Sequence, residues 1–94
     1  MNLYCLFDRQ FRLYSDPFLA ADDVTVRRDL VRKAISSRSF RASLSRCDLY
    51  LLGDFDASYP DPISLSDHPL LVSTGVSLLQ FVKDSSKSLF NGGS

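Results

Sequence analysis

The chain has 94 residues, 45% of them hydrophobic, with eleven aromatics and a formal net charge of zero. That length allows one domain with a single small core, and the composition excludes a disordered polyelectrolyte. Neutrality conceals a segregation: residues 26–46 hold seven basic groups and one acid, and the remainder holds ten Asp against Arg9, Arg12, Lys83 and Lys87. Such asymmetry steers a polyanion to one face, and it is also compatible with association between copies of the chain.

In chain order, residues 2–8 (NLYCLFD) alternate as a strand, with Leu3, Cys5 and Phe7 on one face. Arg9–Tyr14 is expected to continue as a second short strand, and Pro17 makes SDPF a bend. Asp22 or Asp23 is the expected N-cap of an amphipathic helix. Val24, Val26, Leu30, Val31, Ala34 and Ile35 form its apolar half, and Thr25, Arg28, Asp29, Arg32 and Lys33 its outer half. Arg27 falls inside the apolar arc, which predicts a structural ion pair with Asp8 or Asp54. Residues 36–46 read equally as a short helix, from the spacing of Phe40, Leu44 and Cys47, or as a loop, from five serines. CDLYLLGDFD (47–56) is a strand in which Gly53 marks a bulge or a close approach. ASYPDP is a turn, and 63–65 with 70–73 are expected to form a hairpin or paired edge strands around SDHP. Residues 76–82 suit a short helix, and 85–94 a disordered tail. The expected fold is α+β: one domain over residues 1–84, a mostly antiparallel sheet of three to five strands with one main amphipathic helix on one face.

Little in the chain resembles catalysis. The single histidine, His68, lies in turn-like sequence and reads as a surface residue rather than a general base. Two cysteines 42 positions apart with one histidine do not make a zinc pattern, and Asp54 and Asp56 read as solvated acids at a strand end. No phosphate-cradling glycine loop is present. The expectation is therefore a non-enzymatic protein without metal or cofactor. The absence of a secretory pattern, a membrane-length apolar run and a cysteine framework points to a cytoplasmic one.

The basic segment is the stronger signal. Arg28, Arg32 and Lys33 share a helix face suited to phosphates, and Arg38, Arg41 and Arg46 extend it. Tyr14, Phe18 and Phe40 are candidates for stacking on unpaired bases. The plain alternative is a charged face that keeps a helix soluble, with the aromatics in the core.

YCLFDRQFRLYSDPF, DDVTVRRDL and CDLYLLGDFD together resemble the small nonstructural protein of gokushovirus-type Microviridae, phages with single-stranded DNA genomes. The ordered set Asp8, Tyr14, Pro17-Phe18, Arg27, Leu49-Tyr50, Gly53 and Phe55-Asp56 carries the resemblance, which spans residues 2–76. The Arg- and Ser-rich 36–46 segment and the long tail depart from that pattern. The resemblance implies a counterpart of the microvirus protein C in the host bacterial cytoplasm. Such a protein binds viral, single-stranded DNA or its replication complex and promotes single-stranded genome synthesis and packaging. The alternative is an adaptor that meets the phage replication initiator, the procapsid or a host replisome component without touching DNA.

Overall fold

The computed structural model describes the backbone of residues 1–91 and the side chains of residues 1–84. The expected disordered tail, 85–94, lies outside the residues whose side chains are described. The fold is α+β, in the order β1 (Asn2–Asp8), β2 (Leu13–Tyr14), β3 (Phe18–Ala20), α1 (Asp23–Ser36), α2 (Arg38–Leu44), β4 (Cys47–Phe55), β5 (Ile63–Thr74) and α3 (Gly75–Asn91).

One antiparallel sheet runs β2-β1-β4-β5, and β3 joins β1 on the edge that β2 also uses. The period of two then decides what each face carries. Tyr4 and Leu6 of β1, Phe18 and Ala20 of β3, and Leu49 and Leu51 of β4 face the helices. Val26, Leu30 and Ala34 of α1, Leu44 of α2, and Leu78 and Val82 of α3 complete the core at helical spacing. The opposite face presents Phe7, Tyr14 and Tyr50, whose rings lie 4.8 to 6.4 Å apart, together with exposed Leu19, Leu65 and Leu71.

Two expectations are corrected by the structure, and one left open in the sequence is resolved. Arg9–Arg12 is a turn rather than strand: Asp8 accepts the amides of Gln10 and Phe11 at 2.9 and 3.1 Å, and Arg12 takes φ 55°, so only Leu13 and Tyr14 pair with β1. The expected hairpin around SDHP is instead one strand, β5. Leu51 pairs with Leu70 and Gly53 with Leu65, so four residues of β5 stand opposite Leu52. Pro69 is tolerated there because β5 is an edge strand and its missing donor breaks no ladder bond. Of the two readings open for 36–46, the structure has the helix, from Arg38 to Leu44. Its serines act as caps: Ser37 accepts the Phe40 amide at 3.2 Å, and Ser36 and Ser45 donate to the carbonyls of Lys33 and Ala42.

Other expectations hold. Asp22 caps α1 through the Thr25 amide at 2.7 Å, a bond worth about 1 kcal/mol. Gly53 lies at a bulge, and a Cβ there would collide with the Ser64 carbonyl and lie 2.8 Å from Leu65 Cα. Gly75 plays a matching part at the β5–α3 junction, where a Cβ would strike the carbonyls of Leu44 and Cys47. Both cysteines are free and buried, and burial raises both thiols above their ordinary range.

The molecule is elongated, 54 × 30 × 17 Å with a radius of gyration of 14.8 Å, against about 12 Å for a compact chain of this length. Residues 56–71 of the β4–β5 hairpin are all exposed. Residues 47–82 contain five Asp and no Lys or Arg. The hairpin is therefore acidic while α1 and α2 are basic.

Tyr4, fully buried, donates to Asp23 Oδ1 at 2.6 Å and accepts from Asn2 at 3.1 Å. Burial first, then the bond to Asp23, pushes its phenol from 10.0 up to about 12. The folded state thus holds the Tyr4 proton more tightly than the unfolded chain does. The linked stability is complete below pH 10 and is lost as pH rises from 10 towards 12. Tyr4→Phe is expected to lower neutral-pH stability by about 1–2 kcal/mol and to remove this alkaline limb, as measured by urea unfolding from pH 8 to 11.5.

Candidate nucleic-acid interface

α1 presents its charges by simple geometry. With Val26, Leu30 and Ala34 fixed inward, Arg28 and Arg32, four residues apart, point away from the sheet. Lys33 lies on the flank of α1 that faces β3 and α2. Ser37 ends α1 and caps α2, so Arg38 and Arg41 continue the positive surface with little break. Arg28, Arg32, Lys33 and Arg38 are exposed and Arg41 is half-buried. Among the described residues, no carboxylate lies within 4.0 Å of Arg32, Lys33, Arg38 or Arg41. Arg28 reaches only its neighbour Asp29, at 4.0 Å. Both of those side chains are more than half exposed, so the pair contributes little and leaves the guanidinium available.

Arg46 is placed differently from the other five. Its Nε donates to Asp8 Oδ2 at 3.0 Å, and its guanidinium sits over the Phe11 ring at 5.7 Å. Arg9 lies beside it, donating to the carbonyls of Ser45 and Arg46 at 2.7 and 3.2 Å, with Asp48 at 3.6 Å. Asp48, buried, also accepts the Gly75 amide at 3.1 Å. These groups lock the β1–β2 turn to the α2–β4 corner, and Arg46 belongs to that lock rather than to the free basic surface. Neither Arg9 nor Asp48 stood out in the sequence. The register that sets Asp8 beside Cys47 brings them together across 38 or more residues.

Arg27 lacks the partners expected for it. Asp8 is engaged by Arg46, Asp54 is exposed in β4, and no carboxylate lies within 4.0 Å of Arg27 among the described residues. Its Nε is buried without a hydrogen-bond partner among the described residues. The structural pairing predicted for Arg27 is made by Arg46.

The three candidate stacking residues are divided between the two faces of the sheet. Phe18 pairs in register with Tyr4, stacks on it at 6.3 Å and faces the helices. Tyr14 pairs with Phe7 and belongs to the aromatic group on the opposite face, where it is 56% exposed. Phe40 of α2 comes towards Phe18. Both line a cleft of about 490 Å³ between β3, α1 and α2, in the size range of small-ligand pockets. Lys33 stands at this cleft with its Nζ 4.6 Å above the centre of the Phe40 ring. Asp16 and Asp29, both exposed, are the acidic residues among those that line it. The fold thus gathers Lys33, Phe18 and Phe40 at one opening, whose lining includes none of Arg28, Arg32, Arg38 and Arg41.

The remaining polar candidates have ordinary surroundings. His68 is exposed in β5, and Asp56 accepts the Ser58 amide and hydroxyl at 3.0 and 2.6 Å, holding the turn after β4. No group of three potential metal ligands occurs among the described residues, and no described helix is long and apolar enough to cross a membrane. No family profile, curated protein or solved structure matches the chain.

Partial burial raises the Asp8 carboxyl, but the amides of Phe11 and Gln10 and the Arg46 guanidinium outweigh it and hold the group below the usual carboxylate range. Its contribution to stability is present above the ordinary carboxylate pKa and is lost as pH falls through the depressed folded value. Arg46→Gln is expected to lower the urea midpoint at pH 7 and to shrink the acid-linked loss. Arg32→Gln is expected to leave both unchanged, within about 0.5 kcal/mol.

Proposed function

We propose that the protein is a non-enzymatic, DNA-binding accessory protein of a gokushovirus-type phage. It binds single-stranded viral DNA or its replication complex in the host cytoplasm and promotes single-stranded genome synthesis and packaging. The observation that carries this reading is the set of five cations, Arg28, Arg32, Lys33, Arg38 and Arg41, held on two consecutive helices with no strong carboxylate partner among the described residues. Guanidinium forks on a rigid helix meet phosphate oxygens bidentately, and each contact releases condensed counterions. The acidic hairpin repels a nucleic-acid backbone, so the field of the whole molecule guides the strand to the helices. Two aromatic rings at the adjacent cleft favour an unpaired strand, because a base in a duplex offers them no free face.

A second reading, a protein–protein adaptor, draws on the outer sheet face. Leu65 and Leu71 are 66% and 56% exposed there, beside Tyr14 at 56%, which suits contact with a replication initiator, a procapsid or a second copy of the chain.

The two readings separate in a salt titration of a fluorescent octanucleotide by anisotropy. Five phosphate contacts on a single strand give a slope of log K against log salt of about −3.5. Arg28→Gln with Arg32→Gln is expected to bring that slope to about −2 and to weaken binding uniformly across sequences. Absence of binding by the wild-type protein at low salt would remove the DNA reading and leave the adaptor.

A further inference from the structure

We propose that the cleft between β3, α1 and α2 seats one unpaired nucleobase carrying an exocyclic amine. This assignment rests on the single-stranded DNA reading and names what the helices' neighbouring cleft takes from such a strand. Its walls are apolar and flat where a base needs them: Phe18, held by its stack on Tyr4, and Phe40, fixed by the Ser37 cap of α2. The cleft, about 490 Å³, has room for a purine or pyrimidine.

The charges sort the parts of a nucleotide. Asp16 and Asp29 line the cleft against one ammonium, Lys33, so the interior repels a phosphate and accepts an uncharged ring. The Ser15 hydroxyl, also in the lining, is already bonded to the Leu6 amide and the Asp16 carbonyl. Asp16 and Asp29, the latter 4.0 Å from Arg28, are thus the acceptors that the lining residues offer. A carboxylate acceptor matches the amine of cytosine, or that of adenine, whereas thymine turns a carbonyl oxygen towards it at the same place.

Lys33 supplies the link to the backbone. Its ammonium covers the Phe40 ring at 4.6 Å in the free protein. A base that stacks on Phe40 takes that position, and the ammonium moves to the phosphate of the seated nucleotide, next to Arg32 and Arg38.

The test uses nucleosides, which carry no phosphate and so do not engage the basic surface. Deoxycytidine and thymidine are titrated into the full chain and followed by amide chemical shifts. Deoxycytidine is expected to shift Phe18, Asp29, Leu30 and Phe40, with affinity about 5-fold or more above that of thymidine. Phe40→Leu, which keeps the apolar volume and removes the π-face, is expected to weaken deoxycytidine about 5- to 150-fold. Asp29→Asn, at an exposed position, is expected to abolish the preference over thymidine without disturbing the fold. Absence of shifts at the cleft, equal affinity for the two nucleosides, or a Phe40→Leu variant that is folded and unaffected would each overturn the proposal. Salt-dependent binding of a thymidine octamer with no nucleoside response in the cleft overturns the base seat and leaves the DNA reading intact. The converse pattern keeps the seat and removes the DNA reading.

Discussion

Tyr4 stands at the centre of β1 with its ring wholly buried and its hydroxyl 2.6 Å from Asp23, the first residue of α1. That bond fixes where α1 begins, and the Asp22 cap fixes the direction in which it leaves the sheet. Once Val26, Leu30 and Ala34 settle over Tyr4, the 100° step of a helix leaves Arg28 and Arg32 no position but outward. The same ring stacks on Phe18 and so holds β3 on its edge of β1. The cleft between β3, α1 and α2 therefore owes the placing of its β3 and α1 sides to one side chain. Replacing the phenol with a residue of similar size would retain the packing but leave Asp23 without its donor, loosening the start of α1 before the core itself failed.

The arginines divide by their neighbours. Arg9 and Arg46 sit where two chain reversals meet, each offered a carboxylate and, for Arg9, two carbonyls as well. Their charge is neutralised locally. Arg28, Arg32, Arg38 and Arg41 occupy helices whose acids, Asp22, Asp23 and Asp29, all lie in the cap and first half of α1, so most of their field is directed to solvent. With the acids of residues 47–82 gathered in the hairpin, a chain of zero net charge behaves as a dipole with a cationic helical layer. A polyanion is attracted to the layer, and the neutral whole limits indiscriminate attraction elsewhere.

Much of this was legible in the sequence where local rules decide. The alternation of β1 and β4, the Asp22 cap, the apolar arc of α1 and the close approach at Gly53 follow from short-range periodicity and sterics. The errors arose where long-range pairing overrides local signals. SDHP reads as a turn, yet an edge strand has no need of the Pro69 donor, and the bulge opposite Leu52 absorbs the extra residues. The 36–46 segment reads equally as helix or loop, because the capping function of its serines shows only when the helix ends are known. The sequence offers Asp8, or Asp54, as a partner for Arg27, whereas Asp8 pairs with Arg46, because the register that brings Arg46 beside it joins positions 38 apart. The sequence groups Tyr14 with Phe18 and Phe40, although the pairing of Tyr14 with Phe7 and of Phe18 with Tyr4 sends Tyr14 and Phe18 to opposite faces. The cleft had no sequence signature, since β3, α1 and α2 contribute to it separately.

The central claim is that the helical layer, and not the aromatic sheet face, meets the nucleic acid. Amide chemical-shift mapping of the full chain with a mixed-sequence single-stranded octanucleotide tests it most directly. The account predicts shifts concentrated between Arg28 and Arg41, with Phe7, Tyr14, Tyr50 and Leu71 unmoved. Shifts centred on those four residues, with α1 and α2 silent, would contradict it.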